Sequence, residues 1–319
     1  MNQVIQDQTL EYIIMQKRIL SHVENRQKIK QLYRDKGIQM LDKPEQVQVI
    51  KEKLFKWAIT NENLCKYVSE GIIEKAITTE ISQSPFYAQL CKYIIKESKK
   101  LQNEAQQQQF KSHLYNNIQS IFEGKKDIFK LTMNFSYQEK PENMQSNNKK
   151  NLYFIEKKKR EKQLIIFIGY LFAQEVMNFC ILDICMGTLL SRFINGYCEA
   201  SELVKEAHYE YHLENLIALF EQKQIVKKIV EKYLNKFKFK SSYYNNLTYI
   251  ISILEQKKLD KDIDDIYLSL EDYFTIFEWL NKNKKISPKI QSMITNLLEE
   301  MMNLLNNLDY QKFQTKKNN

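Results

Sequence analysis

The stretch from residue 157 to residue 190 constrains the fold more than any other part of the chain. It reads KKKREKQLIIFIGYLFAQEVMNFCILDICMGTLL, a basic run followed by two helical patterns of apolar residues, with Gly169 inside the first. The apolar positions are Ile165, Ile166, Ile168, Leu171 and Phe172 in the first pattern and Ile181, Ile184, Leu189 and Leu190 in the second. Two antiparallel helices that close around a small residue form one repeat unit, which is stable only when stacked on its neighbours. We therefore predict an all-α fold, an α-solenoid of stacked antiparallel helix pairs.

The rest of the chain favours the same fold, because residues that form turns are scarce. Only 6 Gly and 4 Pro occur in 319 residues, too few for the turns of many short strands. Helical periodicity is found near residues 45–60, 64–78, 85–101, 107–123, 155–173, 176–194, 200–221, 222–239, 243–257, 263–283 and 287–305. The residues that we expect in the core of the central pair are Ile168, Leu171, Phe172, Leu189, Cys180 and Cys185.

The periodicity divides the chain into one long helical domain and two terminal segments. These are an N-terminal amphipathic helix at 1–29, the helical domain at 30–305 and a C-terminal tail at 306–319. Within the domain, residues from about 134 to 151 contain Pro141, many amides and few large apolar side chains, which predicts a disordered loop. Ser287-Pro288 predicts the start of the last helix, since Ser is a favoured N-cap and Pro a favoured first residue.

Charge and cysteine content limit the partners and the compartment. The net charge of +9 and the pI near 9.0 favour an acidic partner such as nucleic acid, a phosphoprotein or an anionic surface, with a lysine-rich solvated surface as the alternative. Five cysteines without a CxxC pair indicate reduced thiols in a cytosolic or nuclear protein. The longest apolar run, residues 164–173, is about half as long as a membrane span, so we expect no membrane contact.

No catalytic constellation is found. The sequence has no glycine-rich phosphate loop, no nucleophile elbow and no plausible pair of acid and base. Four acidic residues fit the spacing of a calcium loop, but Asp265 stands where that loop needs Gly. The four are Asp260, Asp262, Asp264 and Glu271. His208 and His212 are four residues apart without a third ligand, which favours two exposed histidines. We predict a non-enzymatic protein with no metal site and no cofactor.

Several short segments, in order along the chain, resemble those of one protein family. They are Leu32-Tyr33-Arg34 with Gly37-Ile38 and Pro44-Glu45; Ile72-Ile73-Glu74-Lys75-Ala76-Ile77; Phe86-Tyr87-Ala88-Gln89-Leu90-Cys91; Phe110-Lys111 to Phe122-Glu123; Phe167-Ile168-Gly169 with Leu171-Phe172; Leu247 to Leu259 with Tyr273-Phe274; and Lys285 to Ile290 with Met293, Leu297 and Leu298. The series resembles the middle domain of translation initiation factor 4G, a HEAT-type helical repeat domain, over about residues 30–305. Residues 195–242 have no counterpart in that family, and we predict an inserted helical hairpin there.

The resemblance implies a scaffold in translation initiation that binds a DEAD-box RNA helicase of the initiation factor 4A type and contacts RNA in the cytoplasm. By contacting both lobes of the helicase, a rigid solenoid would favour its active orientation. One alternative is a nuclear mRNA-processing, decay or cap-complex member of the same fold family, and Lys157 to Arg160 would then be a nuclear-import patch. The other is a plain protein–protein adaptor without helicase contact.

Lys159, Arg160 and Lys289 are the expected helicase contacts, because the matching family positions are basic. The chain also departs from the family near these residues. Tyr170 stands in place of the family's Glu after the motif glycine, and Gln291 in place of the second Arg in its closing Arg-Ile-Arg. The resemblance therefore predicts the fold more firmly than the details of the interface.

Tyr211, Leu216 and Ile217 fit the Tyr-x4-Leu-apolar pattern with which factor 4G and its mimics bind the cap-binding protein. Since the chain has 19 Tyr among many Leu and Ile residues, about one chance match is expected. Contact with a cap-binding protein and a chance match both stay open.

Lys228, Lys232, Lys236 and Lys240 recur every four residues and therefore form one stripe along a predicted helix. Such a row can follow the phosphates of RNA. A solvated helix face is the alternative, and we predict RNA contact here.

Overall fold

The computed structural model consists of α-helices in the part of the chain that it describes. That part is residue 24 and residues 44–60, 62–101, 104–128, 147–199, 209–235, 244–256, 268 and 270–317. From residue 44 on, these residues form α1 (Pro44–Thr60), α2 (Glu62–Thr78), a 3₁₀ helix (Ile81–Gln83), α3 (Ser84–Lys100), α4 (Glu104–Phe122), α5 (Asn147–Ala173), α6 (Phe179–Glu199), α7 (Glu210–Phe220), α8 (Lys223–Asn235), α9 (Tyr244–Gln256), α10 (Leu270–Lys282) and α11 (Pro288–Lys317). No strand occurs among them. The predicted all-α fold is confirmed for the described residues.

The chain forms two compact units, residues 1–160 and residues 161–319. In the first unit, α1 packs against α2 and α3, and α4 packs against the same two helices. Only one residue separates α1 from α2 and the two helices pack together, so they are antiparallel. The start of α3 is favoured by a proline in its first turn, where the missing N–H is not needed. The core side chains of this unit include Leu54, Ile72, Leu90, Phe110 and Leu114.

The second unit is built around the short helix α7. This helix packs against α6, α8 and α11, while α9 packs against α6 and α10, and α10 against α11. Every residue of α7 from Asn215 to Phe220 is buried, and a helix buried around its circumference is a core helix. The range predicted as an inserted hairpin, about 195–242, therefore contributes to the core. Its first residues, 195–199, complete α6, and its described remainder is residues 209–235.

The burial expected for the central helix pair is confirmed except at Cys180, which is exposed, and the role of Gly169 differs from the expectation. Ile168, Leu171, Phe172 and Leu189 are all buried. A Cβ atom at Gly169 would lie 2.5 Å from Leu219 Cδ1 and 2.5 Å from Ile225 Cδ1. The close approach that this glycine permits is therefore to side chains of α7 and α8, and not to α6.

Three boundaries differ from those predicted. Helix α5 already begins at Asn147, so the last residues of the predicted loop at about 134–151 are helical. Helix α11 continues to Lys317, so most of the predicted tail at 306–319 is helical too. The amphipathic helix predicted at 1–29 lies outside the described residues except for Glu24, which is helical.

One helix of the described chain, α6, is long and apolar enough to cross a membrane. Length and composition alone do not separate a membrane span from the core helix of a soluble protein. Just over half of its most apolar 18-residue stretch, 56%, is buried inside the protein. Leu182, Leu190 and Phe193 of this helix belong to the core. The helix thus already packs much of its apolar surface against the rest of the fold.

Candidate interaction surfaces

The first half of α5 exposes apolar side chains next to a lysine. Leu152, Phe154 and Ile155 are 56%, 50% and 64% exposed. Lys159 is also exposed and follows Ile155 by four residues, so both lie on one side of the helix. Lys159 is therefore placed where a partner could contact it, as the resemblance implies. The apolar residues before it were not predicted as part of a contact.

Arg160 does not fit the expected surface contact. It is only 3% exposed, and its Nε donates a hydrogen bond of 2.9 Å to Glu156 Oε1, one turn earlier in α5. A buried guanidinium needs a carboxylate partner because the unpaired charge would be costly to remove from water. We therefore assign Arg160 to the stability of the fold.

Lys289 lies at the start of α11 and links it to α7. Its Nζ is 2.8 Å from Glu214 Oε1, while most of its side chain is exposed. Next to it, the backbone N–H of Ser287 donates to Glu210 Oε1 at 2.9 Å, and the Ser287 hydroxyl donates to Glu210 Oε2 at 2.6 Å. The N–H of Ile290 in turn reaches Ser287 Oγ at 3.4 Å, which is the predicted helix cap. Lys289 stays accessible, but a partner would compete with Glu214.

The four lysines predicted as a phosphate-binding stripe are not equivalent. Lys228 Nζ is 2.9 Å from Glu175 Oε1 and 3.8 Å from Glu231 Oε2. The hydrogen bond to Glu175 raises the pKa of Lys228, so this ammonium group is held by carboxylates. Lys232 is exposed, whereas Lys236 and Lys240 lie outside the described residues. A phosphate would therefore have to compete with Glu175 for Lys228, and RNA contact at these lysines stays a prediction.

The cap-binding pattern does not form an accessible motif. Leu216 and Ile217 are fully buried in the core helix α7. Burial raises the pKa of Tyr211, and the nearby Glu161 carboxylate raises it further. Because its two apolar residues already fill the core of the second unit, the pattern cannot dock on a partner without opening this unit. The structure favours the chance match.

The titratable side chains of the described residues include no metal-binding group, and two buried thiols among them have raised pKa values. Within them, no group of three His, Cys, Asp or Glu side chains is placed to hold a metal ion. Burial raises the pKa of both Cys65 and Cys185 to about 12, which leaves these thiols protonated near neutral pH. Three of the residues with calcium-loop spacing, Asp260, Asp262 and Asp264, lie outside the described residues. His208, the first histidine of the pair four residues apart, lies outside them too.

The outer side of α1 and α3 is a surface that the motifs did not reveal. Lys92, Lys96 and Lys99 are exposed along α3. Lys51 of α1 places its Nζ 6.0 Å from the centre of the Tyr93 ring. The signal was present in the sequence as the lysine spacing of four and three residues in KYIIKESKK. It was missed because the segment resembles no family motif, and because only the fold shows that α1 packs beside it.

Comparison with models of known protein families finds no match for this chain, and comparison with curated proteins finds none either.

Proposed function

We propose that this chain is a non-enzymatic, cytoplasmic scaffold of translation initiation that binds a DEAD-box RNA helicase of the initiation factor 4A type, and RNA. The ordered segments that resemble the middle domain of factor 4G support the choice of family. In the first unit, pair α1–α2 packs on pair α3–α4 through α1–α3 and α2–α4 contacts. Helical repeats stack in this way, which supports a HEAT-type solenoid as the finer description of the fold.

The observation that carries the proposal is the exposed apolar group on α5, formed by Leu152, Phe154 and Ile155. Grouped large apolar side chains on a protein surface typically mark contact sites for partners. Lys159, one turn beyond Ile155, adds a positive charge that suits a partner with acidic residues. The group lies just before the segment that most resembles factor 4G, where the family carries basic residues.

The scaffold would act by position and not by chemistry. A helicase of two mobile lobes samples open and closed arrangements, and a protein that binds both lobes in the closed arrangement shifts the population towards it. The chain should therefore raise the RNA-dependent ATPase rate of the helicase without hydrolysing ATP itself.

The test is titration of a purified factor 4A-type helicase with the full chain, followed by calorimetry and by the ATPase rate. We expect binding heat and a faster rate. Ile155→Ser should weaken binding about tenfold, because burying half of an isoleucine side chain contributes about 1–1.5 kcal/mol. Met302→Ser is the matched control, since Met302 is 58% exposed on α11. If the unaltered chain gave no binding heat and no change in the ATPase rate, the proposal would be refuted.

A further inference from the structure

Positive charge is segregated to one side of the first unit. Helices α1 and α3 together carry seven lysines and three glutamates, whereas α2 and α4 together carry three lysines and four glutamates. The two pairs have similar lengths, and α1 packs directly on α3. The basic character of the chain is therefore concentrated on a layer of two neighbouring helices.

Several lysines of this layer are not neutralised by carboxylates. In the part of the chain that the structure describes, Lys92, Lys96 and Lys99 are exposed and form no ion pair. They follow at spacings of four and three residues, which places them on one side of α3 in a row about 10 Å long. In the second unit, by contrast, Lys228 and Lys289 are held by Glu175 and Glu214.

Aromatic rings lie beside this lysine row. Tyr93 stands between Lys92 and Lys96 in the sequence and contacts Phe55 of α1 edge-on, with ring centres 6.2 Å apart and planes at 79°. Lys51 extends over the Tyr93 ring at 6.0 Å. Both rings are half-buried and keep part of their surface open to solvent. Uncompensated cations next to accessible rings are what proteins use to bind single strands, in which phosphates meet lysines and bases stack on aromatics.

We infer that this surface, the α1–α3 face formed by Lys51, Phe55, Lys92, Tyr93, Lys96 and Lys99, binds single-stranded RNA. The ligand class rests on the proposed function, but the placement rests on the charge and aromatic pattern of the first unit alone. The main RNA contact then lies on α1 and α3, and not on α8.

The test is fluorescence anisotropy of a labelled U-rich RNA oligonucleotide titrated with the full chain at several salt concentrations. We compare Lys92→Gln/Lys96→Gln/Lys99→Gln with Lys282→Gln/Lys284→Gln/Lys285→Gln, a variant of three exposed lysines in the second unit with the same loss of charge. The α3 variant should lower affinity at least about tenfold near 0.1 M salt and flatten the salt slope by about two units. The second-unit variant should do neither. Both should keep the melting midpoint of the unaltered chain.

Two further measurements complete the design. Tyr93→Leu keeps an apolar side chain against Phe55 but removes the ring, and it should weaken RNA binding with an unchanged salt slope. Poly-glutamate should compete poorly with the labelled RNA for the chain, because it offers negative charge without bases. Equal competition at equal charge, or an α3 variant that binds like the unaltered chain, would overturn the inference.

These outcomes separate the inference from the proposed function. A chain that stimulates the helicase while the α3 variant keeps its RNA affinity would refute the α1–α3 face and leave the scaffold intact. A chain that binds RNA through this face but leaves the helicase unaffected would refute the scaffold and support the face.

Discussion

At the scale of single residues, the five cysteines differ widely in their access to solvent. Cys65, Cys91 and Cys185 are buried, Cys198 is partly exposed and Cys180 is exposed. Burial is the main cause that raises the pKa of Cys65 and Cys185 to about 12, and at Cys65 the Glu62 carboxylate adds to it. Because the thiolate is the reactive form, these buried cysteines combine poor access with almost no thiolate at pH 8.

We therefore predict selective alkylation of the native chain. A maleimide reagent at pH 8 should modify Cys180 within minutes and leave Cys65, Cys91 and Cys185 unmodified until denaturant is added. Mass spectrometry of the digested protein measures the modification at each cysteine. The denatured chain is the control, in which all five should react at similar rates. Rapid labelling of Cys185 without denaturant would show that the second unit opens readily.

The sequence assigned both Cys180 and Cys185 to the core, and only Cys185 is there. The same limit applies to charge, since adjacent Lys159 and Arg160 look alike in the sequence but only Arg160 is buried. The partners of ion pairs cannot be read from the sequence either. Lys228 and Glu175 are 53 residues apart, and Lys289 and Glu214 are 75 apart. Local periodicity contains no information on such contacts, so the candidate surfaces could not be ranked before the fold was known.

At the scale of helices, the sequence was a better guide. Apolar periodicity located α1 to α4 to within about three residues at each end, because each has a continuous apolar side facing one core. The range predicted for α7, 200–221, includes residues outside the described part of the chain, and from Asn215 to Phe220 the helix is buried around its circumference, so no polar side defines a period there. The small residue in α5 was recognised, but the helices that approach it were not.

Gly169 provides the test at this scale. An alanine in a helix interior is normally more stable than glycine by about 0.5–1 kcal/mol. At Gly169 the added Cβ would come within 2.5 Å of buried methyl groups of Leu219 and Ile225. We therefore predict that Gly169→Ala lowers the free energy of unfolding by about 1–3 kcal/mol, the usual cost of overpacking. Urea denaturation followed by circular dichroism measures this change.

Shortening the neighbour should relieve the clash. Ile225→Val removes one of the two Cδ1 atoms that lie nearest to the added Cβ and so relieves part of the clash. The combination Gly169→Ala/Ile225→Val should then be more stable than the sum of the two single changes predicts. A stabilising effect of Gly169→Ala alone would mean that α7 and α8 do not pack on α5 as closely as the structure has them.

At the scale of the whole molecule, compartment distinguishes the proposed function from its nuclear alternative. Translation initiation requires a cytoplasmic chain, whereas processing of mRNA or a nuclear cap complex requires import. The only basic cluster considered for import, Lys157 to Arg160, lies within helix α5, and its last residue is buried and bound to Glu156. A receptor could not bind this arginine without breaking its bond to Glu156 and exposing its side chain.

We therefore predict that the full chain carrying a fluorescent tag is cytoplasmic in cells, and that Lys157→Gln/Lys158→Gln/Lys159→Gln does not change its distribution. Fluorescence microscopy with a nuclear stain measures the ratio between compartments. The second-unit lysine variant used for RNA binding is the control for loss of three charges. Nuclear accumulation that the α5 variant abolishes would identify the cluster as an import signal, because removing three lysines leaves Arg160 and its bond to Glu156 in place. The scaffold would then belong to a nuclear step of mRNA metabolism.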